Sequence, residues 1–466
     1  MDESSDPQIA LTDAERFPLL EDLSFLNTLK QDALAPKFNF KSGDRLDAVQ
    51  LSKVKSYKKK HCDEKIFWNE GQIPLWLDDY LKWCHTTVPF YQNTDGGLNA
   101  FPTISREDIR KYPHLFVSNE ANLEELLVYY TSGSTGPKLD VLFDAVTQAS
   151  WLPQIESVLK DFNVSISEGK NTTAIALICA QEKTLTYASL STYLEGAGIL
   201  KINLNPSEWN QPDDARKYLE KYNPQILTGD PIAFMALLDL KPQLSPKALV
   251  SSAMQLTKGT KNKLENYFKC PVIDLYSMTE CRNIAYATKL GHKAIRPDLY
   301  LEIFEEHEDV KLSNGERGEL VITGGNNPFL PLIRYRTGDF CRLIIENGAP
   351  YLIDLEARNP VVFYTKSDVK INNIDISNGL SRLPLAGFKM HQTKDKLIQF
   401  KGYSNDCTME EVLELLKVIF KNDIDIQADI QKISQNNTVE KSLYSSEIDY
   451  QKLINYFNRY ELLYFL

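Results

Sequence analysis

Apolar and polar positions alternate most clearly between residues 171 and 276, where short apolar runs are separated by longer amphipathic stretches. The runs AIALI (174 to 178), QILT (225 to 228), ALV (248 to 250) and PVIDLY (271 to 276) predict buried strands. Helices are predicted for Asp213 to Tyr222, Ile232 to Leu238 and Lys258 to Phe268, the last behind Thr257 as N-cap. Strands joined by helical crossovers build a parallel α/β sheet. An all-helical chain does not fit, because the runs are short and punctuated by Gly, Pro and Asp.

Upstream, Leu77, Tyr80, Leu81 and Cys84 fall at i, i+3, i+4 and i+7 behind Pro74, which predicts an amphipathic helix. The first fifty residues are polar with only short apolar runs and read as a loosely attached lead-in. After Gly318 the texture turns to strands, ELVIT and then CRLII, followed by the charged stretch DLEARNP ending at Pro360. Past it, KLIQF (396 to 400) predicts a strand. Thr408 and Glu411 form a capping box for a helix with Val412, Leu415, Leu416 and Ile419 on one face. The expected fold class is α/β: a polar lead-in (1–50), a large multi-sheet domain with parallel α/β layers (51–358) and a small C-terminal α+β lid domain (359–466). The hinge is expected near Arg358 to Pro360.

Length supports more than one domain, since 466 residues exceed the ~250–300 at which single cores stop growing. With 52 Lys+Arg against 63 Asp+Glu, the net charge of −11 argues against a general nucleic-acid or anionic-membrane binder. A small polyphosphate ligand needs only a local field. The longest apolar stretch, Thr173 to Ala180, is far short of the ~18–20 residues of a membrane span, and the start MDESSDPQ is acidic, so a cytoplasmic protein is expected. Seven cysteines without a C-x-x-C pair suit reduced thiols, and six histidines show no zinc spacing.

The segment richest in chemistry is YYTSGSTGPK, Tyr129 to Lys138, between the strand-like LEELLVYY and LDVLF. Gly133 and Gly136 let the backbone approach an anion, Thr131, Ser132, Ser134 and Thr135 add donors, and Lys138 adds charge. That is the composition of a phosphate cradle, and also of a plain surface turn. It matches neither the G-x-x-x-x-G-K-[ST] order of a P-loop nor G-x-G-x-x-G.

TSGSTGPK resembles the phosphate loop of the adenylate-forming superfamily, which comprises acyl-CoA synthetases, luciferases and peptide-synthetase adenylation domains. Three more segments follow in the family's order. YSMTE (Tyr276 to Glu280) is similar to its aromatic-G-x-T-E segment, GERGELVIT (Gly315 to Thr323) to its G-E-x-G-E strand, and LIRYRTGDF (Leu332 to Phe340) to its Y-R-T-G-D segment. VPFYQ (88 to 92) and FPTISREDIRKYPHLF (101 to 116) are most similar to the phenylacetate–CoA ligase branch.

The resemblance implies an ATP- and Mg²⁺-dependent ligase that joins a small carboxylic acid to AMP, releases pyrophosphate, and passes the acyl group to the thiol of coenzyme A or of a carrier protein's phosphopantetheine. Transfer to an amine, or a non-catalytic adenylate-binding protein, are the alternatives. By the same resemblance, residues Thr131 to Lys138 hold phosphates, Thr279 bonds the α-phosphate, Glu280 holds Mg²⁺, Tyr276 offers a face to adenine, and Asp339 accepts the ribose hydroxyls. Arg358 reaches ribose or phosphate. Ser252 and Ala253 stand at the turn before the adenine pocket, where relatives are Gly-rich, and Ser277 replaces the glycine of aromatic-G-x-T-E, shrinking the acyl pocket. Tyr187 and Tyr193, in TLTYASLSTY, would line that pocket, and core packing serves them equally well. No acid stands between Lys183 and Leu194 to receive an α-ammonium group, which favours a simple carboxylate.

Two departures concern the small domain. The hinge reads Ala357-Arg358-Asn359-Pro360 in place of G-R-x-D or G-R-x-K, and Ser367 stands where relatives have a pantetheine-loop glycine. The catalytic lid lysine of relatives has no G-K counterpart, leaving Lys441 in NNTVEKSLYSS as the candidate.

Overall fold

A computed structural model describes residues 11–63, 66–69, 72–94, 96–130, 139–181, 183–357, 361–433 and 443–448. The chain divides into two compact units, Met1–Ala253 with Leu264–Asn359, and Met254–Lys263 with Pro360–Leu466.

The first unit opens its strand inventory with a hairpin, β1 (Leu127–Tyr130) and β2 (Asp140–Phe143). The main sheet follows with β3 (Thr173–Cys179), β4 (Tyr187–Ser191), β5 (Ala197–Asn203), β6 (Ile226–Gly229), β7 (Ala248–Ser251) and β8 (Val272–Met278). It continues with β9 (Arg282–Ala287), β10 (His292–Ala294), β11 (Leu299–Phe304), β12 (Arg317–Gly324), β13 (Leu332–Glu346) and β14 (Ala349–Ala357). Among the described residues these twelve strands form one sheet, ordered β11-β12-β13-β14-β10-β9-β8-β7-β6-β3-β5-β4. Strands β5, β3, β6, β7 and β8 pair in parallel, whereas every pairing from β8 through β9 to β11 is antiparallel. Strand β8 is therefore where the sheet switches from parallel to antiparallel pairing.

The local reasons follow the sequence. All four residues of β7 are buried, and β3 is buried at every position but Leu177, as befits strands covered on both faces. Helix Pro231–Asp239 starts with proline at N1, capped by Asp230 Oδ1, which accepts from Ala233 N at 2.8 Å. The helix behind Pro74 runs Leu75–Thr87 and buries Leu77, Leu81 and Cys84. LIRYRTGDF and CRLII are one continuous strand, β13, whose fifteen residues bend at a register shift between Phe340 and Arg342.

The segment expected as a loose lead-in is instead fastened to the sheet. Phe17, Phe25, Leu26, Leu29 and Leu46 are buried. Tyr218 Oη donates to Leu29 O at 2.8 Å, Phe40 N to Thr186 O at 3.0 Å, and Asp44 accepts from Thr192 N at 2.6 Å and from its hydroxyl at 2.8 Å. These partners stand some 150 to 190 positions away, so no local pattern reveals them. Each buried Phe or Leu contributes roughly 1.5–3 kcal/mol, ample to hold the segment down.

The second unit holds the hairpin β15 (Val362–Tyr364) and β16 (Lys370–Asn372). Its four-stranded sheet comprises β17 (Gly387–Gln392), β18 (Ile398–Tyr403), β19 (Ile426–Gln431) and β20 (Leu443–Ser446), in the order β19-β18-β17-β20. Helix Met409–Ile419 has its capping box, with Thr408 Oγ1 accepting from Glu411 N at 3.2 Å and Glu411 Oε2 from Thr408 N at 2.8 Å. Val412 and Leu416 join Phe363, Phe388, Phe400 and Phe420 in the core. Segment 254–263, which lies within the span expected for the large domain, clusters here: the hydroxyls of Thr257 and Thr260 donate to Leu385 O at 3.3 and 3.1 Å, and Lys263 pairs with Asp406. Ser367 is exposed, its N–H bonding Asp423 Oδ2 at 2.8 Å, and the left-handed backbone position is its neighbour Asp368, φ 62°. Aspartate tolerates that region better than most side chains.

Candidate active site

The end of β8 and the turn after it carry Tyr276, Ser277, Thr279 and Glu280, and β13 carries Tyr335 and Asp339. The two strands are not neighbours in the sheet, yet their side chains meet in pairs spaced four residues apart on each. Tyr276 Oη donates to Asp339 Oδ2 at 2.6 Å, and Tyr335 Oη donates to Glu280 Oε1 at 3.0 Å. Burial, then the adjoining carboxylate, raises both phenols well above their ordinary pKa, so both remain protonated donors. The first bond pins the Tyr276 ring while leaving the residue partly exposed, the condition for a planar ligand to stack on it. Asp339 is further held through its N–H, which donates to Thr337 Oγ1 at 3.1 Å.

Glu280 is 4% exposed and has Arg106 Nη1 3.9 Å from Oε1. Its Oε2 accepts no hydrogen bond among the described residues, and the Thr279 hydroxyl, in the same turn, likewise has no partner there. One carboxylate oxygen tied down and one left open suits a hard cation that takes one or two protein carboxylates and completes its shell with phosphate oxygens.

A narrow cleft, partly open to solvent and enclosing only ≈ 20 Å³, adjoins Glu280. Cys281, Arg282, Phe143, Gln154, Arg296, Asn326, Asn327 and Leu330 line it. Gly324, another wall residue, has φ +115°, and a Cβ there would fall 2.2 Å from Asp298 O, so no other residue fits. Arg296 is gripped by Asp298 at 2.7 and 2.6 Å. Arg282 lies over Phe143, 4.0 Å from the ring centroid, and burial lowers its pKa to about 10.

The family-like GERGE and Y-R-T-G-D segments brace this site. Glu319 on β12 accepts from Arg336 Nη1 at 2.6 Å and from Gly338 N at 2.9 Å. Gly338 needs its positive φ of 75° to present that N–H immediately before Asp339. Arg334 is buried, donating to Asn99 Oδ1 at 2.6 Å and Phe101 O at 3.2 Å.

A family model described as AMP-binding enzyme matches residues 105–327, which takes in β2, β8, Glu280 and most of the cleft wall. Residues 105–327 are thus similar to an AMP-binding enzyme domain. Over 297 residues it is 25% identical to Protein CapK of Staphylococcus aureus, covering 60% of this chain and 59% of that protein. Over 318 residues it is 23% identical to the phenylacetate-coenzyme A ligase of Escherichia coli (strain K12), covering 65% and 68%. The chain thus spans about three fifths of the length of the first relative and two thirds of the second. The fold is similar to that of a 2-hydroxyisobutyryl-CoA ligase, itself solved in a postadenylation state, with a TM-score of 0.58 at 13% identity over 82% of this chain and 90% of that one.

Within the first unit, the structure brings Tyr276, Glu280 and Asp339 together with Tyr335 and Arg106, which sequence reasoning had not singled out. Both stood inside segments already noticed: Tyr335 opens Y-R-T-G-D and Arg106 follows TIS in TISREDIRKY. Ser252 bonds Gly229 O through its N–H at 2.9 Å, and Ala253 is exposed with φ 67°, a glycine-like conformation in a residue that carries Cβ. Tyr193 is buried, its hydroxyl on Glu156, and Tyr187 lies on the edge strand β4; neither lines the cleft. Thr131, Ser132, Gly133, Ser134, Thr135, Gly136, Lys138, Arg358 and Lys441 lie outside the described residues.

Proposed function

We propose that the protein is an ATP-dependent carboxylate ligase that joins the oxygen of a small carboxylic acid to the α-phosphorus of ATP, releasing pyrophosphate, and then passes the acyl group to the thiol of coenzyme A. The observation that carries this is the pair of tyrosine–carboxylate contacts, Tyr276 with Asp339 and Tyr335 with Glu280, which join the end of β8, within the segment similar to an AMP-binding enzyme, to β13 just beyond it. In this reading Asp339 receives the ribose hydroxyls, the pinned Tyr276 ring supports adenine from the turn at Ser252 and Ala253, and Thr279 donates to the α-phosphate. Glu280 would hold Mg²⁺ through its open oxygen; the ion would neutralise phosphate charge as the α-phosphorus is attacked. The loop Thr131 to Lys138, Arg358 and the lid lysine Lys441 complete the assignment by resemblance. Coenzyme A is favoured as acceptor because it stands in the names of the phenylacetate and 2-hydroxyisobutyryl relatives.

Exchange of labelled pyrophosphate into ATP, run across a panel of carboxylic acids, tests the reading. An acid-dependent exchange is expected, with Glu280→Gln raising the Mg²⁺ requirement. Silence with every acid alongside measurable AMP binding overturns it in favour of an adenylate-binding protein. Supplying coenzyme A or amines to a competent acid then separates thioester from amide formation.

A further inference from the structure

The cleft beside Glu280 has two guanidinium groups in opposite electrostatic situations. Arg296 is charge-compensated, with Asp298 on two of its nitrogens and both side chains 5% exposed. Arg282, two residues beyond Glu280, lines the same cleft and has no carboxylate within ion-pair distance among the described residues. Its Nη2 donates to the neutral amide oxygen of Gln148, its plane rests on Phe143 and Tyr129, with centroids at 4.0 and 5.3 Å, and its Nε is buried without an acceptor. Its backbone holds φ +66°, the left-handed region that side chains avoid and that concentrates at functional positions. Charges withdrawn from water are ordinarily paired; for this partly buried guanidinium the aromatic faces and one amide leave a buried donor and the net charge unmatched.

We propose that Arg282 is the specificity-determining receptor for a second carboxylate on the acid, so that the activated substrate is a dicarboxylic acid. This inference rests on the carboxylate-ligase reading. The reacting carboxylate is a poor partner for Arg282, because pairing would blunt its attack on phosphorus and its charge disappears on adenylation. A distal carboxylate keeps its charge throughout, and a planar fork matches it in two hydrogen bonds. An interaction equal in ground and transition states acts on KM and not on kcat.

Exchange of pyrophosphate into ATP with the full chain, comparing dicarboxylic acids with their monomethyl esters at matched length, reads this directly. The expected result is a KM at least tenfold lower for a diacid than for its ester, a preference that Arg282→Gln removes through KM and Arg282→Lys partly keeps. Urea unfolding of both variants identifies any that fail to fold. Exchange that favours esters or simple monoacids, with a preference unchanged in Arg282→Gln, overturns the receptor and leaves the ligase standing. Silence across all acids overturns the ligase reading. Calorimetric titration of the diacids then decides Arg282 by itself: heat lost in Arg282→Gln sustains the receptor, and equal or absent heat overturns it.

Discussion

The strand pair β12 and β13 and the turn between β8 and β9 both carry charged motif residues, and they treat those charges in opposite ways. On β13, Arg336 engages all three guanidinium nitrogens: Nε with Thr103, Nη1 with Glu319 and two carbonyls, and Nη2 with Asp309 and Glu308 O. At the β8 turn, Glu280 leaves one oxygen open, Thr279 makes no side-chain bond among the described residues, and Arg282 faces the cleft without a carboxylate. A saturated network holds a shape. A half-satisfied one, stable only because that shape is held, can accept a ligand whose polar groups finish it. Family-like motifs therefore mix residues of two kinds that a sequence pattern prints side by side.

The sharpest way to break this contrast is Arg336→Ala. It strips Glu319 of its counter-charge in a site where the two side chains are 14% and 9% exposed, and should cost about 3–5 kcal/mol of stability. Urea unfolding measures it, and a loss under about 1 kcal/mol would put Arg336 in the same class as the turn. Asp339→Ala should do the reverse. Stability moves by only about 1 kcal/mol for the lost Tyr276 bond, while acid-dependent exchange falls roughly a hundredfold, the ~2–3 kcal/mol of charge-assisted bonds to a sugar diol. Equal damage to folding and exchange would erase the distinction.

A third kind of buried group sharpens the comparison through pH. Burial pushes the His292 imidazole on β10 down to about 4, overriding Asp274 at 3.9 Å. The unfolded chain, with an imidazole pKa near 6.5, takes up the proton first. Stability should therefore be level above pH ~6.5 and decline as pH falls toward 4, by something on the order of 2 kcal/mol. His292→Gln should flatten that decline in thermal melts taken across the range; an unaltered slope would assign it to other groups. The smallest effect is expected at Ala253, whose exposed Cβ sits at φ 67°. Ala253→Gly should raise stability by up to about 1 kcal/mol, since a left-handed alanine costs roughly 1–2 and glycine's chain entropy returns part of that. A lowered midpoint would mean that the Cβ makes a contact worth keeping.

The central strands β3, β6, β7 and β8 and the helices Asp214–Tyr222, Pro231–Asp239 and Lys258–Phe268 were legible in the sequence, because their apolar periods and caps lie within a dozen residues. So were the capping box of Thr408 and Glu411 and the motif residues Tyr276, Glu280 and Asp339. The anchoring of residues 11–47 was not, since its partners, such as Thr192 for Asp44, come from distant parts of the chain. The placement of 254–263 with the second unit was hidden for the same reason, as Thr257 and Thr260 are satisfied by a carbonyl at Leu385. Tyr187 on β4 and Tyr193 in the turn after it could be read as pocket or as core, because an aromatic side chain has the same sequence signature in either setting.

What the sequence by itself determined is the set of parts: strands and helices dictated by short-range apolar spacing, and motif residues whose chemistry suits a nucleotide. Only the tertiary structure decided which parts face one another. The bonds from Tyr276 to Asp339 and from Tyr335 to Glu280 cross from β8 to β13, two strands that do not touch in the ladder. Likewise, only packing shows that Arg296 is neutralised by Asp298 while Arg282 is not. Local propensity acts over a few residues, whereas the energy of a charge is set by whatever the folded chain brings within a few ångströms of it.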